Sequence, residues 1–411
     1  MAMSSAQPSA LALLVTATSL FAFACGTQYS DPIGAGADVP AEGCAAWVNQ
    51  SDCRADTANG CSFQPNPIGC HEGAVGCAPG ACRSGDPFVR RSGQTLRLRG
   101  APYRFTGSVS WGIAWGREQC RVTSMPDQEQ ALVRTFDDLV DLRASVLKIW
   151  AHQYYAGSSG TDYTSFERVV AAARRAGVRL IFVLENQWSD CSLGGTRDDA
   201  WFTSGYLSPY GGYALSFPEY VRGLVQHFRD EPTLLAWEIM HEAGTDDFAA
   251  LRGFTERMTT VIRENDSNHL IALGTDAGDS PATNREGVNS NYRALHAHAA
   301  IDLLDVHDFT NEGGLTPSMI EIAAIAAELA KPVFAGAVGV EVTDTLAATL
   351  ERRASVVDAK LNAALSTGYV GFLLYDYYPD WSPPGWSFDA RTEDPLGGPN
   401  GVLARHAPTQ R

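Results

Sequence analysis

The sequence predicts an α/β fold, a (β/α)8 TIM barrel preceded by a small disulfide-rich module. Three observations carry this. From about Asp86 onward, apolar strand-like runs alternate with amphipathic helical stretches, and eight such runs can be counted. Polar and aromatic residues gather after many of these runs, and no glycine-rich phosphate loop follows the first, which argues against an open doubly wound sheet. Ahead of them, six cysteines crowd between Cys44 and Cys82 with few aliphatic residues around them.

In chain order the expected elements are these. Tyr103–Ser108 opens as a strand, followed by a helix over Gln128–Leu142 with Leu132, Phe136, Leu139 and Leu142 on one face. Ser145–Trp150 is strand and Ser165–Ala176 helix; Val178–Glu185 is strand and Pro218–Phe228 helix. Thr233–Glu242 is strand and Asp247–Glu264 helix. His269–Thr275 and Ile301–His307 are strands, with no clear helical pattern between Thr275 and Asn291. Ser318–Leu329 is helix, Val333–Val338 strand, Thr345–Leu365 helix and Val370–Tyr375 strand.

The chain has 411 residues, 45% of them hydrophobic, enough for a large core and more than one structural unit. Its net charge of −16, with no basic block, sets nucleic acid aside as a partner. Ala10–Ala24 is an apolar stretch too short for a comfortable membrane span and reads as the core of a signal peptide over residues 1–24. Ala22-Phe23-Ala24 fits a cleavage site, and Cys25 next to it also fits lipid attachment of the bacterial lipoprotein kind. Of nine cysteines, a lipidated Cys25 leaves eight, which can all pair. The expectation is an exported monomer, either a lipoprotein at the cell envelope, touching the membrane only through its N-terminal lipid, or a freely secreted protein. Residues 25–43 read as a flexible tether, 44–85 as the disulfide module and 87–411 as the barrel. Zinc in the module is disfavoured because no C-x-x-C pair exists.

In such barrels the chemistry sits at the C-terminal ends of the strands. Those ends supply Trp111 and Trp115, Lys148 and Trp150, Glu185 to Trp188, His241-Glu242, Asp276, Asp305 and His307, Ala337, and Tyr375 to Trp381. Aromatic faces stack on the C–H faces of sugar rings, while carboxylates and amides bind hydroxyls. A polysaccharide or oligosaccharide is therefore the expected partner, with no cofactor. His241, Glu242 and His307 have the donor types for a metal, but histidines at a barrel mouth are more often sugar hydrogen-bonders, and no metal is expected. Cys120 and Cys191, in loops after the first and third strands, are expected to form a disulfide bracing the rim.

The run Leu234 to Glu242 resembles the strand-four signature Trp-Glu-x-x-Asn-Glu-Pro of clan A glycoside hydrolases, most of all family 5 and its endo-β-1,4-mannanases. Leu184-Glu185-Asn186-Gln187-Trp188 resembles the mannanase strand-three segment, and Arg104-Phe105-Thr106-Gly107, Val306-His307-Asp308-Phe309 and Lys331 to Gly339 resemble strands one, six and seven. The resemblance implies Glu242 as general acid/base. It also implies substrate contacts for His241, His307, Lys148, Trp150, Asn186, Trp188, Trp111, Tyr375 and Trp381. The departures are grouped. The family's strand-two Arg is Lys148, its Asn before the acid is His241, its strand-six Tyr is Phe309, and its strand-seven nucleophile is Ala337. Glu341, four residues on, is the candidate for a displaced second carboxylate. Two readings follow: a glycosidase acting on mannan- or glucan-type chains with a displaced second carboxylate, or a polysaccharide-binding pseudo-enzyme.

Overall fold

The computed structural model describes residues 61–64, 81–84, 86–115, 120, 127–275, 288–344, 346–379, 384–390 and 394–408. The signal segment, Cys25, the tether, Cys44, Cys53, Cys70 and Cys77, as well as Asp276 and Trp381, lie outside the described residues. Within the N-terminal module, β1 (Cys61–Gln64) and β2 (Ala81–Ser84) pair antiparallel.

A three-stranded meander follows, made of β3 (Val89–Ser92), β4 (Thr95–Leu98) and β5 (Ala101–Tyr103). The sequence reading gave only its last residues, as part of the first barrel strand. The meander buries Val89, Leu96 and Tyr103 and holds the loops that feed the barrel strands. Arg90 donates to the Asn268 carbonyl at 2.8 Å, and Arg179 donates to the Pro87 carbonyl at 3.2 Å. It therefore closes the N-terminal end of the barrel and leaves the other end free.

The barrel begins at β6 (Phe105–Val109) and continues through α1 (Gln128–Asp141), β7 (Val146–Trp150), α2 (Thr164–Ala176), β8 (Arg179–Val183), α3 (Asp199–Thr203), α4 (Phe217–Phe228) and β9 (Leu234–Glu238). After α5 (Phe248–Asn265) come β10 (Leu270–Ala272), α6 (Val288–His296), β11 (Leu304–Asp308), α7 (Pro317–Glu328), β12 (Val333–Val338), α8 (Ala347–Thr367), β13 (Gly371–Leu374) and the terminal α9 (Val402–His406). The eight-stranded parallel sheet runs β10-β9-β8-β7-β6-β13-β12-β11. A parallel bridge between Ala272 and Leu303 joins its two edges, so the sheet closes on itself.

Local chemistry explains the helix boundaries. Asp127 caps α1 by accepting from the Glu129 and Gln130 amides, and Ser216 and Glu219 form a capping box on α4. Gly177 ends α2 at φ 74°, a left-handed conformation that costs glycine no Cβ clash. The helix α6, which apolar periodicity did not reveal, is short, with two Asn, one Ser and one His among its nine residues. The other departure is at β9. Expected to reach Glu242, the strand ends at Glu238, and Glu242 itself has φ 56°. The backbone still runs beside its neighbour through an Asn186–His241 bridge, then turns out of the sheet at Glu242.

Cys120 and Cys191 are bonded, as expected, with Cα atoms 5.4 Å apart across 71 residues of sequence. Closing a loop of that length removes a large share of unfolded-chain entropy. Cys120→Ser should therefore destabilise the fold by about 2–4 kcal/mol. Thermal melts of oxidised wild type and variant would show it, and equal melting temperatures would remove the bond from the list of stabilising features.

Candidate active site at the open end of the barrel

Counting from β6 as the first barrel strand, β7, β9 and β11 are the second, fourth and sixth. Alternate strands of a closed barrel feed the same interior layer. Each of these three carries an ionisable side chain pointing inward, so the three meet. Lys148 Nζ lies 2.8 Å from Glu238 Oε1 and 3.3 Å from Asp305 Oδ2, with all three side chains completely buried. The Lys148–Glu238 contact has the distance of an ion pair but not hydrogen-bond alignment, and both Glu238 oxygens remain without a hydrogen bond. Gly336 makes room for Asp305: a Cβ at that position would fall 1.9 Å from Asp305 Oδ1.

Above this layer, His307 links the interior to the mouth. Its Nε2 is 3.4 Å from Asp305 Oδ2 and 3.4 Å from Lys148 Nζ, and its Nδ1 is 2.9 Å from Glu242 Oε1. The other Glu242 oxygen accepts the Trp188 indole N–H at 2.5 Å. His241 Nε2 stands 3.6 Å from Glu242 Oε1, and its ring packs on Trp150 with centroids 4.6 Å apart.

The charges follow from these contacts. Burial alone would lower Lys148, but Asp305 and Glu238 outweigh it and hold the ammonium charged. Burial pushes Glu238 up to about 7 against the pull of Lys148. Asp305 is also buried, yet Lys148 and His307 hold its carboxyl below the usual range. His307 would fall with burial but is raised to about 9 by Asp305, with Glu242 contributing. Burial drives His241 well down, so it is neutral. For Glu242 burial would raise the carboxyl; the two imidazoles and the Trp188 indole reverse this and hold it well below the usual carboxylate range. Glu242 is thus an anion held by two hydrogen-bond donors, His307 and Trp188, with the His241 ring beside it.

The expected rim residues divide. Glu242, His241, His307 and Trp188 come together. Lys148, expected to touch sugar, is fully buried and committed to two carboxylates inside the barrel. Trp150 is buried beneath His241, and Asn186 serves the loop itself, donating to the Asp190 carbonyl and accepting from the Trp188 amide. Glu341 is exposed and no contact brings it to Glu242. The strand-seven position, Ala337, is a fully buried methyl in register with His307. Trp111 and Tyr375 are partly buried at the rim, and Trp111 hydrogen-bonds Asp376, which burial raises to about 6.

Two participants escaped the sequence reading. Glu238 was read only as part of a strand, although a charge inside an apolar run was the available signal. Trp386 lies in a segment without periodicity. Gly339 lets Phe309 and Trp386 approach the end of β12, since a Cβ there would meet their rings at 2.6 and 3.0 Å. Phe309 packs edge-on against Tyr375 at 5.3 Å and Trp386 at 6.2 Å. With Trp188 41%, Trp386 40% and Phe309 37% exposed, large aromatic faces are open to solvent on loops after strands three, six and eight.

Residues 99–372 match the sequence model of the cellulase family, glycosyl hydrolase family 5. The chain is 28% identical over 246 residues to the mannan endo-1,4-beta-mannosidase 2 of Oryza sativa subsp. japonica, covering 53% of this chain and 54% of that protein. It is 23% identical over 279 residues to the mannan endo-1,4-beta-mannosidase 1 of Solanum lycopersicum, covering 56% and 65%. The chain thus spans about half to two thirds of the length of these relatives. Among solved structures, the endo-1,4-beta-mannanase of Rhizomucor miehei superimposes with a TM-score of 0.61 at 18% identity, covering 78% of this chain and 98% of that one. The endo-1,4-beta-D-mannanase of Thermotoga petrophila RKU-1 gives 0.56 at 18% identity, covering 74% and 98%. These structural likenesses speak for the barrel.

The ionisation pattern sets a pH dependence. A His raised from 6.5 to about 9 contributes stability that is full below about pH 6.5 and is lost as pH rises through about 9. Glu238, raised to about 7, adds a loss of the same sign at lower pH. Glu242, lowered, contributes above its ordinary value of 4.5 and loses that contribution only in strong acid. The melting temperature should therefore fall between pH 7 and pH 9, and His307→Gln should flatten that fall. Parallel slopes for the two proteins across this range would contradict the assignment.

Proposed function

The chain belongs to the cellulase family of glycosyl hydrolases, family 5, and we propose that it uses the barrel mouth to bind β-linked polysaccharide of mannan or glucan type without cutting it. The supporting observation is the state of Glu242. A general acid must carry a proton to the leaving oxygen, and a retaining glycosidase needs a second carboxylate about 5–5.5 Å away. Glu242 is an anion locked by His307 and Trp188. The position that would supply the nucleophile is the buried methyl of Ala337. What remains suits binding: Trp188, Trp386 and Phe309 offer apolar faces for sugar rings, and Glu242 offers an acceptor for hydroxyls.

A second reading, hydrolysis with a displaced acid, has one observation in its favour. Asp376, at the end of β13 and raised to about 6, holds a proton into the mildly acidic range. It is nevertheless buried and accepts a hydrogen bond from Ser387 at 2.5 Å.

Export belongs to the same proposal. The Cys120–Cys191 bond suits an oxidising compartment, and Ala10–Ala24 followed by Cys25 suits a leader with lipid attachment.

The test is incubation with mannan, glucomannan and mixed β-glucan, assayed for new reducing ends and, in parallel, by affinity electrophoresis. We expect no release from wild type or Glu242→Gln, retardation of wild type by at least one glycan, and roughly tenfold weaker retardation for Trp188→Ala. Reducing ends released by wild type and absent with Glu242→Gln would overturn the binding-only reading. Release that depends on Asp376 instead would establish the second.

A further inference from the structure

We propose that His241, Glu242 and His307 form a mononuclear site for a divalent first-row transition cation, zinc foremost. One ligand atom from each lies within 4.8 Å of the others. Glu242 Oε1 is 2.9 Å from His307 Nδ1 and 3.6 Å from His241 Nε2. A zinc ion about 2.0–2.2 Å from each donor requires donor separations of roughly 3–3.5 Å. The two Glu242 separations lie close to that range, and the imidazole pair, within 4.8 Å, closes toward it on binding.

The surroundings of the three side chains are those of ligands. Trp188 binds Glu242 Oε2, which turns Oε1 toward the two imidazoles. Asp305 sits 3.4 Å from the far nitrogen of His307, the carboxylate–histidine arrangement that fixes a ligating ring and its tautomer. His241 is the independent sign. It is buried, its Nδ1 has no hydrogen-bond partner, and its Nε2 stops 3.6 Å short of Glu242. A buried imidazole with neither nitrogen hydrogen-bonded lacks a partner. A cation on Nε2 engages the nitrogen that faces Glu242, while Nδ1 keeps no partner.

Two imidazoles and one carboxylate suit borderline first-row ions rather than calcium or magnesium, which favour all-oxygen shells. On binding, the cation takes the place of the proton that His307 Nδ1 shares with Glu242, and one proton is released to solvent. The Glu242 side chain keeps some exposure, 14%, so the remaining coordination positions face the cleft and can take water or a sugar hydroxyl. This inference stands apart from the glycan reading: a chain that binds zinc and ignores polysaccharide leaves it intact, and the reverse outcome removes it while the glycan reading survives.

The experiment uses untagged, oxidised full-length protein stripped with a chelator and titrated calorimetrically with zinc chloride, with magnesium and calcium chloride as controls. We expect one zinc per chain, no saturable magnesium or calcium binding, and visible cobalt(II) absorption bands on substitution. His241→Asn and Glu242→Gln should each weaken zinc by more than tenfold, and Asp305→Asn by roughly ten- to hundredfold. Circular dichroism of each variant without metal checks that it is folded. His241→Asn, which keeps a side chain of similar size, is the variant on which the conclusion rests. Absence of saturable zinc binding in wild type would overturn the proposal, as would unchanged stoichiometry and affinity in folded His241→Asn, which would place the ion elsewhere.

Discussion

The buried Lys148 ammonium between Glu238 and Asp305 is the constraint on which the rest of the site depends. Three ionised or partly ionised groups, fully buried in the barrel interior, carry a large desolvation cost, and only their mutual attraction offsets it. Removing Lys148 leaves Glu238 without its cation, and removing either carboxylate leaves the ammonium with one counter-charge in place of two. The cluster thus fixes the rotamers of Lys148 and Asp305, and Asp305 in turn fixes the ring of His307. Gly336 is part of the same solution, because no side chain fits where Asp305 Oδ1 lies. The chemistry at the mouth is determined from beneath.

This support explains why Glu242 behaves as it does. His307 is held cationic by Asp305 and presents its remaining N–H outward. An anion is the natural partner, and the left-handed backbone at Glu242 delivers its carboxylate to that N–H and to the Trp188 indole at once. A carboxylate so placed gains stability by staying ionised. On the binding reading proposed above, the interactions that order it are also those that favour its ionised form.

Much of the fold was legible because the signals were long. Eight apolar runs with amphipathic helices between them leave few topologies, and strand limits fell within a few residues of expectation except at β9. That strand was extended to Glu242 because apolarity continued through Ile239 and Met240; the bend at Glu242 is a backbone event that composition does not record. The meander β3–β5 was missed because its strands are short and rich in Arg, with alternate residues exposed. At the site, the resemblance to family 5 pointed to residues of which Glu242, His241, His307 and Trp188 lie together at the mouth and Lys148 lies fully buried beneath them. A strand-end cation reads as a ligand contact until its inward neighbours are known, and Glu238 and Asp305 lie 90 and 157 positions away in the chain. Single-residue reading marks a charge in an apolar run as unusual. Only the alternation of strands around a closed barrel says which such charges meet.

The same geometry bears on what a second carboxylate at Ala337 would encounter. Ala337 stands in register with His307 across the β11–β12 pair. An acid there would face the imidazolium already shared by Asp305 and Glu242, in a layer whose charges are balanced without it. Its proton affinity would be set by His307 and Lys148 rather than by a sugar, and it would compete with Glu242 for the same N–H. On the proposed reading, Ala337 fits beside a charge network in which Lys148 and His307 are already engaged by Glu238, Asp305 and Glu242. Phe309 and Trp386, drawn over the end of β12 by the bare Cα of Gly339, add aromatic surface beside the position where the family places its reacting carboxylate. On the proposed reading, an anion held by His307 and Trp188, with these aromatic faces on the neighbouring loops, suits holding a sugar ligand.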